Sequence, residues 1–326
     1  MIVLTGGAGF IGSNIAADLN ATGVTSLVIA DALGTDDKWR NIAKRRFLDI
    51  VFPDEIEAFL GERTDVSAVI HMGANSSTTA RDADAIVRSN FRLSARLWTW
   101  CARKRVPLIY ASSAATYGDG GQGFLDDQSD AALDRLAPLN LYGWSKHAFD
   151  RWALEQARNG VAPPQWAGLK FFNVYGPNEG HKGDMRSLVA KNTALVARGE
   201  PLRLFKSHRP EFADGAQARD FVYVKDCAAV VLWLLGNPAI GGLFNLGTGV
   251  ARSFKDLMLA VGAALDKEVA FDFVAMPDAV RDQYQYFTRA EMTKLRDAGY
   301  AAPFRSIEEG VRDYVQNYLM RPDSYR

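Results

Sequence analysis

Cysteine is nearly absent from this 326-residue sequence: Cys101 and Cys227 are the only two, far apart, with no C-x-x-C spacing around them. A disulfide framework and a cysteine-based zinc site are not expected, and both residues read as buried thiols. Histidine is scarce too, and His71, His147, His181 and His208 show no metal-ligand spacing, so no metal is expected. No charge excess exists, with 38 basic against 38 acidic residues. Neither nucleic acid nor an anionic membrane is therefore an expected partner, and any anion must be held locally. Long apolar runs are also missing. A strand pattern begins at Ile2 and a glycine turn arrives by Gly6, which leads us to expect a cytoplasmic protein with no membrane span. What remains is 48% hydrophobic and 23% charged residues, the composition of an ordinary folded protein with one large or two closely packed domains.

Short apolar segments alternate with helical patterns. Strands are expected at 2–4, 27–30, 46–48, 68–71, 107–111 and 167–172, and helices at 10–20, 54–60, 84–103 and 141–159. This alternation predicts an α/β fold, a Rossmann-type doubly wound parallel sheet covered on both faces. Beyond 172 the regularity breaks down, and Gly, Pro and charged residues dominate 176–184 and 207–219. These stretches are assigned to a smaller, mixed α/β substrate-binding lobe, with a helix at 306–319. Segments 221–224, 226–235 and 243–245 are expected to return to the main sheet. The division is 1–172 plus about 221–250 for the dinucleotide domain, and about 173–220 plus 251–326 for the smaller lobe.

Thr5-Gly6-Gly7-Ala8-Gly9-Phe10-Ile11-Gly12 places glycines at 6, 9 and 12 directly after a strand and at the opening of a helix. There a pyrophosphate meets backbone N–H groups and the positive end of a helix dipole. Asp31, at the end of the second strand, suits a ribose diol and by the usual rule NAD. Lys38, Arg40 and Lys44 just beyond suit a 2′-phosphate, or else a solvated loop. The glycine segment closely resembles that of the extended short-chain dehydrogenase/reductase family. The resemblance implies further cofactor contacts at Phe10, Ile11, Ala32, Lys38, Val174 and Lys182, an adenine-edge contact at Asp49, and a cofactor-lining turn at Met72, Gly73, Ala74, Asn75 and Ser76 steadied by Asn90.

Tyr142 and Lys146 lie four apart at the start of a helix, so both project from one face. A neighbouring ammonium favours a phenolate, and the pair can then remove a hydroxyl proton as hydride leaves. Tyr-x-x-x-Lys alone is a common surface pair. Here it follows the strand that ends in Ser112-Ser113-Ala114-Ala115-Thr116-Tyr117-Gly118, which resembles the family's serine segment, with Ser113 implied to bond the reacting oxygen. Where the family's 4,6-dehydratases carry Asp-Glu, this chain has Ala114-Ala115, and dehydration is disfavoured.

The stretch 171–185, F-F-N-V-Y-G-P-N-E-G-H-K-G-D-M, together with H-M-G-A-N-S-S-T-T at 71–79 and R-D-F-V-Y-V at 219–224, closely resembles the ADP-glyceromanno-heptose 6-epimerases. That likeness covers nearly the whole chain. It implies inversion at C6 of a nucleotide-linked heptose with two acid/bases, Tyr142 and Lys182, and with Lys146 orienting the nicotinamide ribose. Read without the likeness, Lys182 is an exposed lysine in a glycine-flanked loop. The same comparison implies substrate contacts at Asn173, Asp184, Lys191, Phe205, Lys206, Ser207, His208, Arg219 and Tyr284, with Arg219 toward the diphosphate. It further implies a nucleotide-sugar substrate, NADP with NAD as the alternative, and a homo-oligomer, a homopentamer in relatives. The chain departs from its relatives at Ala32, where they carry Asn, at Asp184, where they carry a small hydroxyl residue, and at the insertion 208–218. Two other readings stay open: a C4 epimerase of a nucleotide hexose working through Tyr142 alone, and a non-catalytic dinucleotide-binding regulator.

Overall fold

A computed structural model describes residues 1–277 and 285–326. In chain order its strands are β1 (Ile2–Thr5), β2 (Leu27–Ala30), β3 (Asp49–Val51), β4 (Ala68–His71), β5 (Leu108–Ser113) and β6 (Trp166–Phe171). They continue with β7 (Asn173–Tyr175), β8 (Leu202–Phe205), β9 (Ala218–Tyr223), β10 (Gly242–Leu246), β11 (Ala251–Ser253) and β12 (Phe271–Val274). Among the described residues seven strands form one sheet in the order β10-β6-β5-β4-β1-β2-β3, every neighbouring pair parallel. Both of its faces are covered, which is why β2 and β4 are buried along their whole length and read as unbroken apolar runs. The strand order reverses at β1, between β2 and β4. Beyond the carboxyl ends of these strands a crevice opens, the place where such sheets bind ligands.

On one face, helices Phe10–Ala21 and Val224–Gly236 pack together and bury Ile15, Leu19, Val230, Val231 and Leu234. On the other, Leu97, Trp98 and Cys101 of helix Leu93–Lys104 meet Phe149 and Ala153 of helix Leu141–Arg158. Trp98 is fully buried, edge-on to Phe149 at 6.4 Å. Removing such a ring from a core costs about 3–5 kcal/mol. A third core, with Val189, Leu257, Val261 and Val311, joins helices Leu188–Ala197, Phe254–Leu265 and Ile307–Tyr314 in the smaller layer. Ser253 and Ser306 start two of these helices with reciprocal capping boxes. No helix among the described residues is long and apolar enough to cross a membrane.

Four elements differ from the sequence expectation. The third strand lies at Asp49–Val51 rather than 46–48, with Leu48 63% exposed outside it. Asp49 therefore opens that strand instead of ending it. The strand expected at 221–224 spans Ala218–Tyr223 and pairs with β7 and β11 in a separate three-stranded sheet, leaving β10 the seventh place in the main one. It carries the charged Arg219 and Asp220, and Asp220 is satisfied by Thr248 in the loop after β10 and by the Ala290 N–H, not by sheet neighbours. The helix expected at 84–103 contains a π-helical stretch, Val87–Arg92, and the one at 306–319 ends in another, Val315–Leu319.

Candidate active site

Helix Phe10–Ala21 starts at Gly9 with no side-chain cap and no acidic residue in its first turn. Its unpaired N–H groups and the positive end of its dipole suit an anion. Gly12 in its first turn and Gly6 in the turn that feeds it leave no room for a side chain. A Cβ on Gly12 would stand 2.1 Å from the Gly6 carbonyl oxygen, and one on Gly6, at φ +65°, 2.6 Å from the Gly73 nitrogen. The turns after β1 and β4 are thus in backbone contact.

Asp31 follows directly on β2. Its Oδ2 accepts from the Ala8 N–H at 2.9 Å, and its Oδ1 from the Ala32 N–H at 2.8 Å and Lys38 Nζ at 2.7 Å. Nearby Asn41 donates to the Ala8 carbonyl at 2.8 Å, while its buried Oδ1 has no partner among the described residues. An orphaned acceptor near a carboxylate suits the hydroxyls of a ribose.

A relay of hydrogen bonds holds the turn after β4. The Gly73 N–H donates to Thr5 Oγ1 at 3.1 Å, that hydroxyl to His71 Nδ1 at 2.6 Å, His71 Nε2–H to Ser94 Oγ at 2.8 Å, and Ser94 to the Asn90 carbonyl at 2.7 Å. The order of donors makes His71 the neutral Nε2–H tautomer, and burial together with the Lys146 charge pushes its pKa down to about 3. Asn90 sits in the π-helical stretch, whose widened turn aims its side chain at two elements. Its Oδ1 accepts from the Asn75 N–H at 2.8 Å, and its Nδ2 donates to the Asn75 carbonyl at 2.9 Å and to Ser145 Oγ at 3.0 Å.

One cavity of about 520 Å³ runs through these elements. It is lined by Gly6, Gly9, Phe10, Ile11, Gly12, Asp31 and Lys38, by Met72, Gly73, Ala74 and Ser76 after β4, and by Ser113, Tyr142, Lys146, Asn173, Val174 and Lys182. Asn75 and Asn90 brace it from behind. Ala32 is not on the cavity wall; it holds Asp31 through its N–H and Lys38 through its carbonyl, each at 2.8 Å. Asp49 is exposed and lines neither this cavity nor the slot beside it, its carboxylate accepting from the Ile50 N–H at 2.8 Å. A side slot of about 140 Å³ shares Gly6, Asp31, Gly73 and Ala74 with the cavity and is walled by Pro53 and Ile56 where Asp49 was expected.

Asn140 caps helix Leu141–Arg158, its side chain accepting from the Gly143 N–H at 2.9 Å, and this sets Tyr142 and Lys146 one turn apart at the cavity. Tyr142 is hydrogen-bonded to Ser113, the last residue of β5. Enclosure raises the phenol above its ordinary range, and the Ser113 bond opposes this. The Asp150 charge adds to the rise, and the Lys146 ammonium is turned onto the Ala111 carbonyl at 2.8 Å.

Desolvation also pushes Lys146 from 10.5 down to about 8. Between those pH values the unfolded chain holds a proton that the folded one has released, so folding stability rises with pH across this window, and below it the full penalty of about 3 kcal/mol applies. Lys146→Met should therefore melt higher than wild type at pH 7 without cofactor, by about 1–3 kcal/mol, with the gain shrinking toward pH 10 while activity is lost. Paired thermal melts at pH 7 and 9.5 check this; a variant that melts lower at pH 7 contradicts it.

Lys182 belongs to the helical turn Gly180–Met185, its Nζ 5.0 Å from the centre of the Phe10 ring. Burial lowers its pKa, with Glu179 opposing and Lys191 adding to the shift. Buried Glu179 accepts from the N–H and the hydroxyl of Ser187, both at 2.6 Å, and so closes the loop on itself. His181, Arg186 and Ser187 also line the cavity and were not expected, although His181 lies inside the quoted motif. Other expected substrate contacts stand off it. Lys191 donates to the Asp184 carbonyl. Phe205, Lys206, Ser207 and His208 lead into a separate turn, in which the Ser207 N–H bonds Asp214 at 2.8 Å and His208 Nδ1 pairs with the Tyr286 hydroxyl at 2.7 Å. The Arg219 guanidinium is buried on the Ala218 and Gln285 carbonyls behind Phe254, and Phe254 is the residue that faces the cavity. Tyr284 lies outside the described residues.

A doubly wound sheet with this glycine turn, an open helix N-terminus and a ribose-end carboxylate fits a dinucleotide, and beside it stands a Ser-Tyr-Lys acid/base group; the two together define a dinucleotide-dependent class of protein. The chain belongs to the NAD dependent epimerase/dehydratase family, whose sequence profile matches residues 2–247. It is 49% identical over 329 residues to the ADP-L-glycero-D-manno-heptose-6-epimerase of Nitratidesulfovibrio vulgaris (strain DP4), covering 100% of both chains. The solved ADP-L-glycero-D-manno-heptose-6-epimerase of Helicobacter pylori is 25% identical, with TM-score 0.77 over 97% of this chain and 95% of that one. The UDP-glucose 4-epimerase of Thermus thermophilus, solved with NAD, is 26% identical, with TM-score 0.74 over 95% of this chain and 96% of that one.

Proposed function

We propose that this chain is an isomerase that inverts C6 of ADP-D-glycero-β-D-manno-heptose to the L-glycero form. The observation that carries the reading is that two proton-transfer groups, Tyr142 and Lys182, reach one cavity from different elements. Full-length identity of 49% to a heptose epimerase supports the substrate. A bound nicotinamide dinucleotide, NADP in this reading and NAD as the alternative, would accept hydride from C6 and return it. Gly6, Gly9 and Gly12 with the helix N-terminus hold its pyrophosphate, and Asp31, Lys38 and Asn41 hold its adenosine ribose. Tyr142, bonded to Ser113, exchanges a proton with the C6 oxygen on one face of the sugar, and Lys182 does so on the other. Lys146 orients the nicotinamide ribose. Asn173 and Arg186 contact the sugar diphosphate, Arg186 being a guanidinium on the cavity wall. In this reading the enzyme works in the cytoplasm, as a homopentamer, in lipopolysaccharide core assembly.

Purified protein incubated with the D-glycero substrate and resolved by anion exchange should yield the L-glycero epimer, and dinucleotide released by denaturation should be mainly NADP. Turnover of a uridine- or thymidine-linked hexose in place of the heptose would move the assignment to a C4 epimerase. Dinucleotide binding without turnover of any sugar would point to a regulator.

A further inference from the structure

Beneath the site lies a buried ion pair that the chemistry above does not use. Lys170 Nζ on β6 stands 2.8 Å from Asp150 Oδ2, with side chains 1% and 0% exposed. Two charges taken out of water are expensive to keep, and apolar residues of similar size often hold a core as well or better. Asp150 lies one turn beyond Lys146 and two beyond Tyr142 on the same helix. Its Oδ1 accepts from the Tyr110 hydroxyl at 3.0 Å, and its Oδ2 from Ser112 at 2.6 Å as well as from Lys170. Lys170 donates onward to Thr116 Oγ1 at 2.9 Å, and Thr116 to the Ser113 carbonyl at 2.8 Å. An unbroken hydrogen-bond path thus joins the helix of Tyr142 to the strand end of Ser113.

We propose that Asp150 and Lys170 are a positioning pair for the reaction: they fix the register between Tyr142 and Ser113, and the Lys170 charge opposes the field of Asp150 at the phenol. The proposal rests on the reading of Tyr142 as an acid/base. The groups that face the pair are Tyr110 and Ser112 from β5, Tyr117 with its ring centre 5.1 Å from the ammonium, and His147 on the same helix, with Asp126 and Lys294 farther out. The Asp150 charge already adds to the upward shift of Tyr142 and raises Lys146 against its desolvation. Without Lys170 that field acts unopposed.

The test compares wild type with Lys170→Met and with the uncharged double variant Asp150→Asn/Lys170→Met. Ionisation of Tyr142 is read as the ultraviolet difference between each protein and its own Tyr142→Phe counterpart, a readout that needs no substrate and so separates this proposal from the assignment of the sugar. In Lys170→Met the phenol should titrate higher by about one pH unit or more. In the double variant it should return to near the wild-type position, with kcat down about 10- to 100-fold and KM within about threefold. A phenol that titrates at the wild-type pH in Lys170→Met, or a double variant with wild-type kcat, overturns the proposal. Should Lys170→Met fail to fold, the double variant decides through kcat.

Discussion

Lys182→Ala is expected to lower heptose epimerisation by about 10²- to 10⁴-fold, and Tyr142→Phe to lower it as far. In the proposed reaction, oxidation at C6 followed by reduction from the opposite face leaves the C6 oxygen in a different place in each half-reaction, and one side chain cannot follow it. The groups proposed to meet that need reach the cavity from two elements, Tyr142 on helix Leu141–Arg158 and Lys182 on the turn Gly180–Met185. Their environments push them in opposite directions. Enclosure raises the phenol, and burial lowers the ammonium. The resting site thus keeps a proton on Tyr142 and releases one from Lys182 more readily, a division into acid and base. Saturating kcat for both variants, with dinucleotide content measured in parallel, checks this. A Lys182→Ala protein within about threefold of wild type would remove the second base and favour an epimerase in which the sugar turns over in the site.

Gly12→Ala is expected to weaken dinucleotide binding by about 100-fold or more and to cost about 1–3 kcal/mol of stability. The added Cβ would sit 2.1 Å from the Gly6 carbonyl oxygen and 2.9 Å from the Gly7 Cα, both backbone atoms that no rotamer change can move. Relief requires the turn to open, and the turn is held in place by Gly6 against Gly73. The anion site at the helix N-terminus is therefore lost along with the packing. Gly236→Ala is the matched control, since a Cβ there meets nothing within 4 Å. Fluorescence titration with dinucleotide and thermal melts of the two variants give the comparison. Equal binding by Gly12→Ala and wild type would mean that this turn does not hold the pyrophosphate.

The parts of the molecule that follow local rules were legible in the sequence. Strands β1, β2 and β4 are buried almost from end to end, so their apolar runs show without a partner in view. The glycine turn and the Tyr142–Lys146 pair act through fixed spacing along one element. Strand β9 was misassigned because Phe221 and Val222 look like central-sheet residues, and only its tertiary partners reveal that Arg219 and Asp220 are satisfied by loop groups outside the main sheet. Arg219 and the 205–208 stretch were expected at the substrate from the resemblance alone, and where their side chains go was not legible, because a side chain's destination is set by the fold around it. Pro53 and Ile56 carry no chemical mark, so the side slot they wall was invisible. The Lys170–Asp150 pair was equally hidden, because its two members lie twenty residues apart on different elements.

In the proposed reaction hydride leaves C6 and comes back to it without exchange with water. It is tested most directly by running the heptose conversion in heavy water and examining the L-glycero product by mass spectrometry and proton magnetic resonance. The account predicts full conversion with no deuterium on C6, since the hydrogen stays within the site. Deuterium on C6 in step with turnover would contradict it, because the carbon would then have been deprotonated and the roles given to the glycine turn, Tyr142 and Lys182 would all have to change.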